Sequence, residues 1–278
     1  MRVLVIAAYP LFPAHAGGKI RTVELARGLV RSGCEVTLVT PYSPRQPWQP
    51  GLRQVPYPFV WTLLTDRPFP YAYLTSFHPG FDWMARPFFA GYDIYQFEHV
   101  QFASLLRLVP PGKKVVYSAH NVEVDYVRSE CRKPWLRELV GRRIAGCEQR
   151  LLKRADLVVT VSQADATRFE SFYGLGLPQS FIIPNGIQGS CRQGNGERVW
   201  EKFPALRGYS RIAIFCGSNV LHNREAVSSL LGQTRADVGL VIQGGCGQAF
   251  RGSGHPHVFF DSDDDLADFA AVGAIGLN

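Results

Sequence analysis

The chain contains no Cys-x-x-Cys pair, no long apolar run and no Gly-x-Gly-x-x-Gly loop, and each absence removes a class of protein. Its six cysteines, Cys34, Cys131, Cys147, Cys191, Cys216 and Cys246, are too scattered for a zinc ribbon or a redox pair. They read as reduced, mostly buried thiols of a cytosolic protein. No apolar stretch approaches the roughly 18 residues of a membrane-spanning helix. The run Val3 to Ala8 is too short for a secretory leader and breaks at Tyr9-Pro10. It reads as a buried first strand, and the expected location is the cytoplasm. The glycine loop after that strand lacks the dinucleotide fingerprint, and Thr40-Pro41 stand where an acid would close the second strand. A nicotinamide dehydrogenase is therefore disfavoured. Nor do acids accompany His255-Pro256-His257, so no metal site is expected.

What is present is an ordinary globular composition, 46% hydrophobic and 19% charged, over 278 residues, enough for two domains. The net charge of +7 is unevenly spread. Between Tyr126 and Arg154 nine Lys and Arg face only Glu130, Glu138 and Glu148. Such a block is by default a solvated helix face. It also suits a patch that rests on an anionic membrane. Nucleic acid is the weakest partner for it, because no nucleic-acid module accompanies it.

Strands and helices alternate along most of the chain. Val3 to Ala8 is followed by Gly17-Gly18, a helix over 19–31 and a strand over 35–40, which is a βαβ unit with a parallel sheet. Residues 41–92 are rich in proline and aromatics and take no clean assignment. Strands are expected at 93–97, 114–119, 156–161 and 180–183, and helices at 102–108, from Pro134 onward and at 163–172. The second of these carries an apolar stripe of Leu136, Val140, Ile144, Cys147 and Leu151. Residues 187–209 are polar and read as a linker. Alternation restarts with strands at 211–216, 238–243 and 257–260, helices at 223–231 and 264–271, and a last strand from Ala274. The domains expected are 1–186 and 210–278. The second has fewer elements than a Rossmann-like half usually holds, so the chain reads as a fragment of a longer one.

Six short motifs fall in one order. They are Gly17-Gly18-Lys19-Ile20-Arg21, Ser118-Ala119-His120-Asn121-Val122-Glu123, Arg154-Ala155-Asp156 with Val161-Ser162, Pro184-Asn185-Gly186, Phe215-Cys216-Gly217-Ser218, and Asn223-Arg224-Glu225-Ala226-Val227. In this order and spacing the chain resembles the retaining glycosyltransferases of family four. That resemblance implies an α/β fold of two Rossmann-like domains, GT-B, with parallel sheets flanked by helices and the second domain incomplete. It implies transfer of a sugar from a nucleotide-diphosphate sugar to a hydroxyl of a glycan or lipid-linked acceptor, without cofactor or metal.

The roles it implies are specific. His120 ends a central strand and meets the transferred sugar across the interdomain cleft; Glu123, three residues on, reads either as orienting that ring or as simply starting the next helix. Gly17, Gly18 and Arg21 form the loop near a substrate phosphate, where absent Cβ atoms let backbone N–H groups approach. Asn185, Gly217, Ser218, Asn223 and Arg224 lie on the donor side, although Asn223 reads equally as a helix N-cap. A basic group for the leaving diphosphate would be Arg224 or Lys202. Two rivals remain open at this point: a non-catalytic truncated homologue that acts as a binding module, and a sugar-nucleotide epimerase of the same fold.

Overall fold

A computed structural model describes residues 1–9, 11–12, 14, 17–41, 53–57, 85–131, 133–185, 194–217, 219–252, 254–255, 257–261 and 266–277. The chain divides into two compact units, Met1–Gly186 and Ile187–Asn278. In the first, the strands are β1 (Arg2–Ile6), β2 (Glu35–Pro41), β3 (Arg53–Tyr57), β4 (Ile94–Phe97), β5 (Lys114–Ser118), β6 (Leu157–Thr160) and β7 (Gln179–Ile182). The helices are α1 (Gly17–Arg31), α2 (Glu123–Glu130), α3 (Pro134–Arg154) and α4 (Gln163–Tyr173). The seven strands form one sheet in the order β3-β2-β1-β4-β5-β6-β7, and every pairing is parallel.

A buried parallel strand needs apolar residues on both faces, and β1 supplies them. Val3, Val5 and Ala7 enter one core, shared with Val23 and Ala26 of α1. Leu4, Ile6 and Ala8 enter the other, with Val140, Ile144, Cys147 and Leu151 of α3. Pro134 starts α3, where its missing N–H is unneeded. Ser162 caps α4 by accepting from the Asp165 N–H, and Gly174 closes it at φ 61°. The stretch expected as a helix at 102–108 is a 3-10 run over Val100–Leu108. The run is kinked at Phe102 (φ -101°, ψ 15°), and Val100, Phe102, Ala103 and Leu105 are all buried.

The second unit holds α5 (Gly196–Lys202), β8 (Arg211–Cys216), α6 (Leu221–Gln233), β9 (Val238–Gln243), β10 (Val258–Asp261), α7 (Leu266–Ala271) and β11 (Ile275–Leu277). Its sheet order is β10-β9-β8-β11, again parallel throughout. Here the reading of 187–209 as a linker is corrected for its described part. Val199 of α5 and Leu206 of the 3-10 turn Pro204–Gly208 are buried with Ile212, Ile214, Val241 and Phe269. Two apolar anchors among polar neighbours were enough to dock the segment. Among the described cysteines Cys131, Cys147 and Cys246 are buried, whereas Cys216 is exposed.

One buried carboxyl in the first unit belongs to the fold. Glu148 of α3 accepts from Tyr117 Oη at 3.1 Å, Tyr173 Oη at 2.6 Å and the Glu123 N–H at 2.9 Å. Burial pushes its pKa up to about 7; the Tyr173 hydrogen bond opposes the rise and the nearby Glu123 carboxylate adds to it. The folded state therefore holds this proton more tightly than the unfolded chain. Stability is full below about pH 4.5, falls as pH rises toward 7, and levels off above. Glu148→Gln removes the cost of ionisation. The variant should gain on the order of 3 kcal/mol over wild type at about pH 8 and little at about pH 4. Urea melts across that range check this; an equal difference at both ends would place the effect in packing.

Candidate active site

Open parallel sheets bind ligands at the carboxyl ends of strands where the order reverses. In the first unit that point lies between β1 and β4. The segments leaving β1, β4 and β5 all meet there. Gly17 and Gly18 belong to the first turn of α1, so their N–H groups are among the unpaired donors of a helix start. No acidic residue stands in that turn. The end of a helix dipole is thus left positive, as an anion site requires.

At the centre is a residue that sequence reasoning missed. Glu98 follows β4 directly and its side chain is wholly buried. Its Oε2 lies 2.9 Å from His120 Nε2, 3.1 Å from Thr22 Oγ1 and 3.3 Å from Ser118 Oγ. Its Oε1 accepts from Gln96 Nε2. Burial opposes the charge of Glu98, but the hydrogen bonds from His120, Gln96 and Thr22 outweigh it and hold the carboxyl below its ordinary value. The carboxylate beside the His120 ring is therefore Glu98. Glu123 instead begins α2, where its N–H serves Glu148. The signal for Glu98 was its place at the carboxyl end of a central strand, next to His99.

His120 is flanked on one face by His99, with ring centroids 4.7 Å apart and planes at 19°. Burial, and then the nearness of His120, holds His99 well below the ordinary imidazole pKa, so it stays neutral. Tyr9 packs edge-on against His99 at 4.4 Å. Gly18 is required by this crowding. A Cβ there would lie 2.7 Å from Tyr9 Oη and 3.3 Å from His120 Nδ1.

Arg21, one turn into α1, is 7% exposed. Its Nη1 donates to Asn185 Oδ1 at 3.3 Å, while Nε and Nη2 are buried without a hydrogen-bond partner. Burial lowers its pKa, and the attraction of Glu98 only partly offsets that. The fold thus holds an under-satisfied cation beside the site, an expensive arrangement unless a ligand completes it.

The residues of the second unit expected on the donor side make these contacts within it. The Gly217 N–H is donated to Gln243 O at 3.1 Å. A Cβ on Gly217 would strike Asn223 Nδ2 at 2.7 Å, so its glycine character serves the packing of Asn223. Asn223 is not the N-cap, because α6 starts at Leu221 after Val220. Arg224 Nη1 reaches Asn219 Oδ1 at 3.4 Å, and Lys202 pairs with Asp261. Ser218 lies outside the described residues. Among the described residues no group of three or more His, Cys, Asp or Glu is placed to hold a metal ion.

Two Rossmann-like units, each an open parallel sheet, and a polar centre at the first unit's switch point define a GT-B fold. The chain belongs to Glycosyltransferase Family 4, whose sequence profile matches residues 16–188. No curated protein matches it in sequence. Sucrose-phosphate synthase from Thermosynechococcus elongatus superposes with a TM-score of 0.68 at 16% identity, over 98% of this chain and 73% of that one. The catalytic domain of starch synthase IV from Arabidopsis thaliana, bound to ADP and acarbose, gives 0.60 at 13%, over 98% and 76%. The Anabaena protein HepE with UDP-glucose gives 0.56 at 15%, over 98% and 72%. At these identities the likeness is one of fold.

Proposed function

We propose that the protein transfers a sugar from a nucleotide-diphosphate sugar to an acceptor hydroxyl, with retention of configuration. The observation that carries this reading is the switch point of the first sheet in a chain of this family. There the bare amino terminus of α1, the under-satisfied Arg21 and the Glu98-held His120 converge. Helix N–H groups and a guanidinium offer a place for phosphate oxygens, and the imidazole offers a contact for a sugar. Similar structures solved with ADP or UDP-glucose support a nucleotide-linked donor.

Stabilisation of the departing diphosphate by fixed dipoles and cations supplies most of the rate, since such groups need no reorganisation as charge develops. The reading includes no cofactor and no metal requirement. A lipid-linked acceptor is favoured by the outer face of α3, where Trp135 and Leu139 are exposed a turn apart and Arg142 and Arg143 follow a turn beyond Leu139. Among the described residues no helix is long and apolar enough to cross a membrane, so contact there would be peripheral.

The test is turnover with a panel of UDP-, ADP- and GDP-sugars against free and lipid-linked acceptors, with and without a chelator. The product's anomeric configuration is read by NMR. One donor class should give a retained linkage. Hydrolysis or epimerisation without any acceptor product would replace transfer with the rival chemistry.

A further inference from the structure

Four donors surround the Glu98 carboxylate, and three of them share Oε2. An ionised carboxylate can only accept. Thr22 has one proton and also lies 3.1 Å from Gly18 O, so it cannot be the sole source of charge relief at Oε2. The ring nitrogen 2.9 Å away must therefore carry its own proton toward Glu98. That assignment leaves Nδ1 as the free lone pair of the neutral ring. Nδ1 is the ring nitrogen on the side of Gly18, where a Cβ would come within 3.3 Å of it. His99, stacked behind the ring, fixes its plane.

We propose that Glu98 is a positioning residue for His120: it accepts the Nε2–H hydrogen bond and leaves Nδ1 as the acceptor to which a sugar hydroxyl donates. A phosphate oxygen does not suit that spot, because it would face a lone pair with a buried carboxylate behind it. Anions belong instead at the start of α1. The inference rests on the reading of His120 as the residue that meets the transferred sugar, and it adds which atom does so and what sets it.

Two measurements test it on the full chain. Imidazole nitrogen NMR of the uniformly labelled protein needs no variant beyond His120→Asn, which identifies the His120 signals. The neutral ring should be the Nε2–H tautomer; an Nδ1–H tautomer would overturn the proposal. Kinetics of Glu98→Gln, checked for folding by circular dichroism, give the second readout. Turnover should fall about 10- to 100-fold, the usual cost of losing a partner that orients a site residue. KM for the donor should move less than about threefold. Wild-type turnover in Glu98→Gln, beside a dead His120→Ala, would refute the role of Glu98 and leave the proposed transfer intact. If His120→Ala were fully active, the reading of His120 itself would fail.

Discussion

His120→Ala should lower turnover about 100- to 1000-fold while KM for the donor changes only a few-fold. The ring follows β5 by two residues, near the sheet's switch point, and is held by Glu98 on Nε2 with Nδ1 on the side of Gly18. In the proposed transfer a group fixed in this way would act on the reacting sugar without needing to reorganise, and removal of one such contact typically costs about 3–4 kcal/mol of transition-state stabilisation. Donor affinity depends more on phosphate contacts, which His120 does not provide. The substitution also leaves buried Glu98 short of one donor, so a loss of stability on the order of 1–3 kcal/mol should accompany it. Steady-state kinetics and urea melts of the same preparation separate the two effects. Unchanged turnover in a folded variant would remove His120 from the chemistry.

Arg21→Met should do the opposite to the two properties: a more stable protein that binds its donor poorly. Two of the three guanidinium nitrogens are buried without partners, and the net effect of the surroundings disfavours the cation despite Glu98 nearby. Methionine keeps most of the length, suits a helix, and asks for no hydrogen bonds. A gain of about 1–3 kcal/mol is expected, the usual cost of unsatisfied buried polar groups. KM for the donor should rise at least about tenfold, which corresponds to about 1.4 kcal/mol of lost binding. Thermal melts with and without nucleotide diphosphate check both parts. A destabilised variant with unchanged KM would make Arg21 a structural tie to Asn185 and nothing more.

Much of the framework was legible because buried parallel strands announce themselves locally. Val3 to Ala8 could be read as a strand buried on both faces, and the stripe from Val140 to Leu151 as a helix against the sheet, since a period of two or of three to four residues is a property of neighbours in sequence. The helix at 196–202 was not legible. Its single buried apolar residue, Val199, has meaning only once Ile212, Ile214 and Val241 of the following sheet are assembled around it. Asn223 was misplaced for a similar reason: the helix start at Leu221 is set by packing and not by a capping side chain.

The candidate site divides in the same way. The short motifs around Gly17-Gly18 and His120 carried the family, because a strand end followed by glycines or by a histidine is a contiguous signal. The sequence by itself thus determined the fold class, the succession of parallel strands and helices, and the identity of one imidazole at a strand end. Only the tertiary structure decided which carboxylate holds that imidazole. Glu98 and Glu123 are both acids near strands, separated from His120 by 22 and 3 positions, and it is the more distant one that touches it. Chain proximity favoured Glu123. The pairing of β4 beside β5 brings the residues at their carboxyl ends together, whereas the turn of α2 carries Glu123 toward Glu148. The tertiary structure alone likewise showed that Arg21 is buried and under-satisfied, because burial is set by elements far away in the chain and a helical pattern cannot report it.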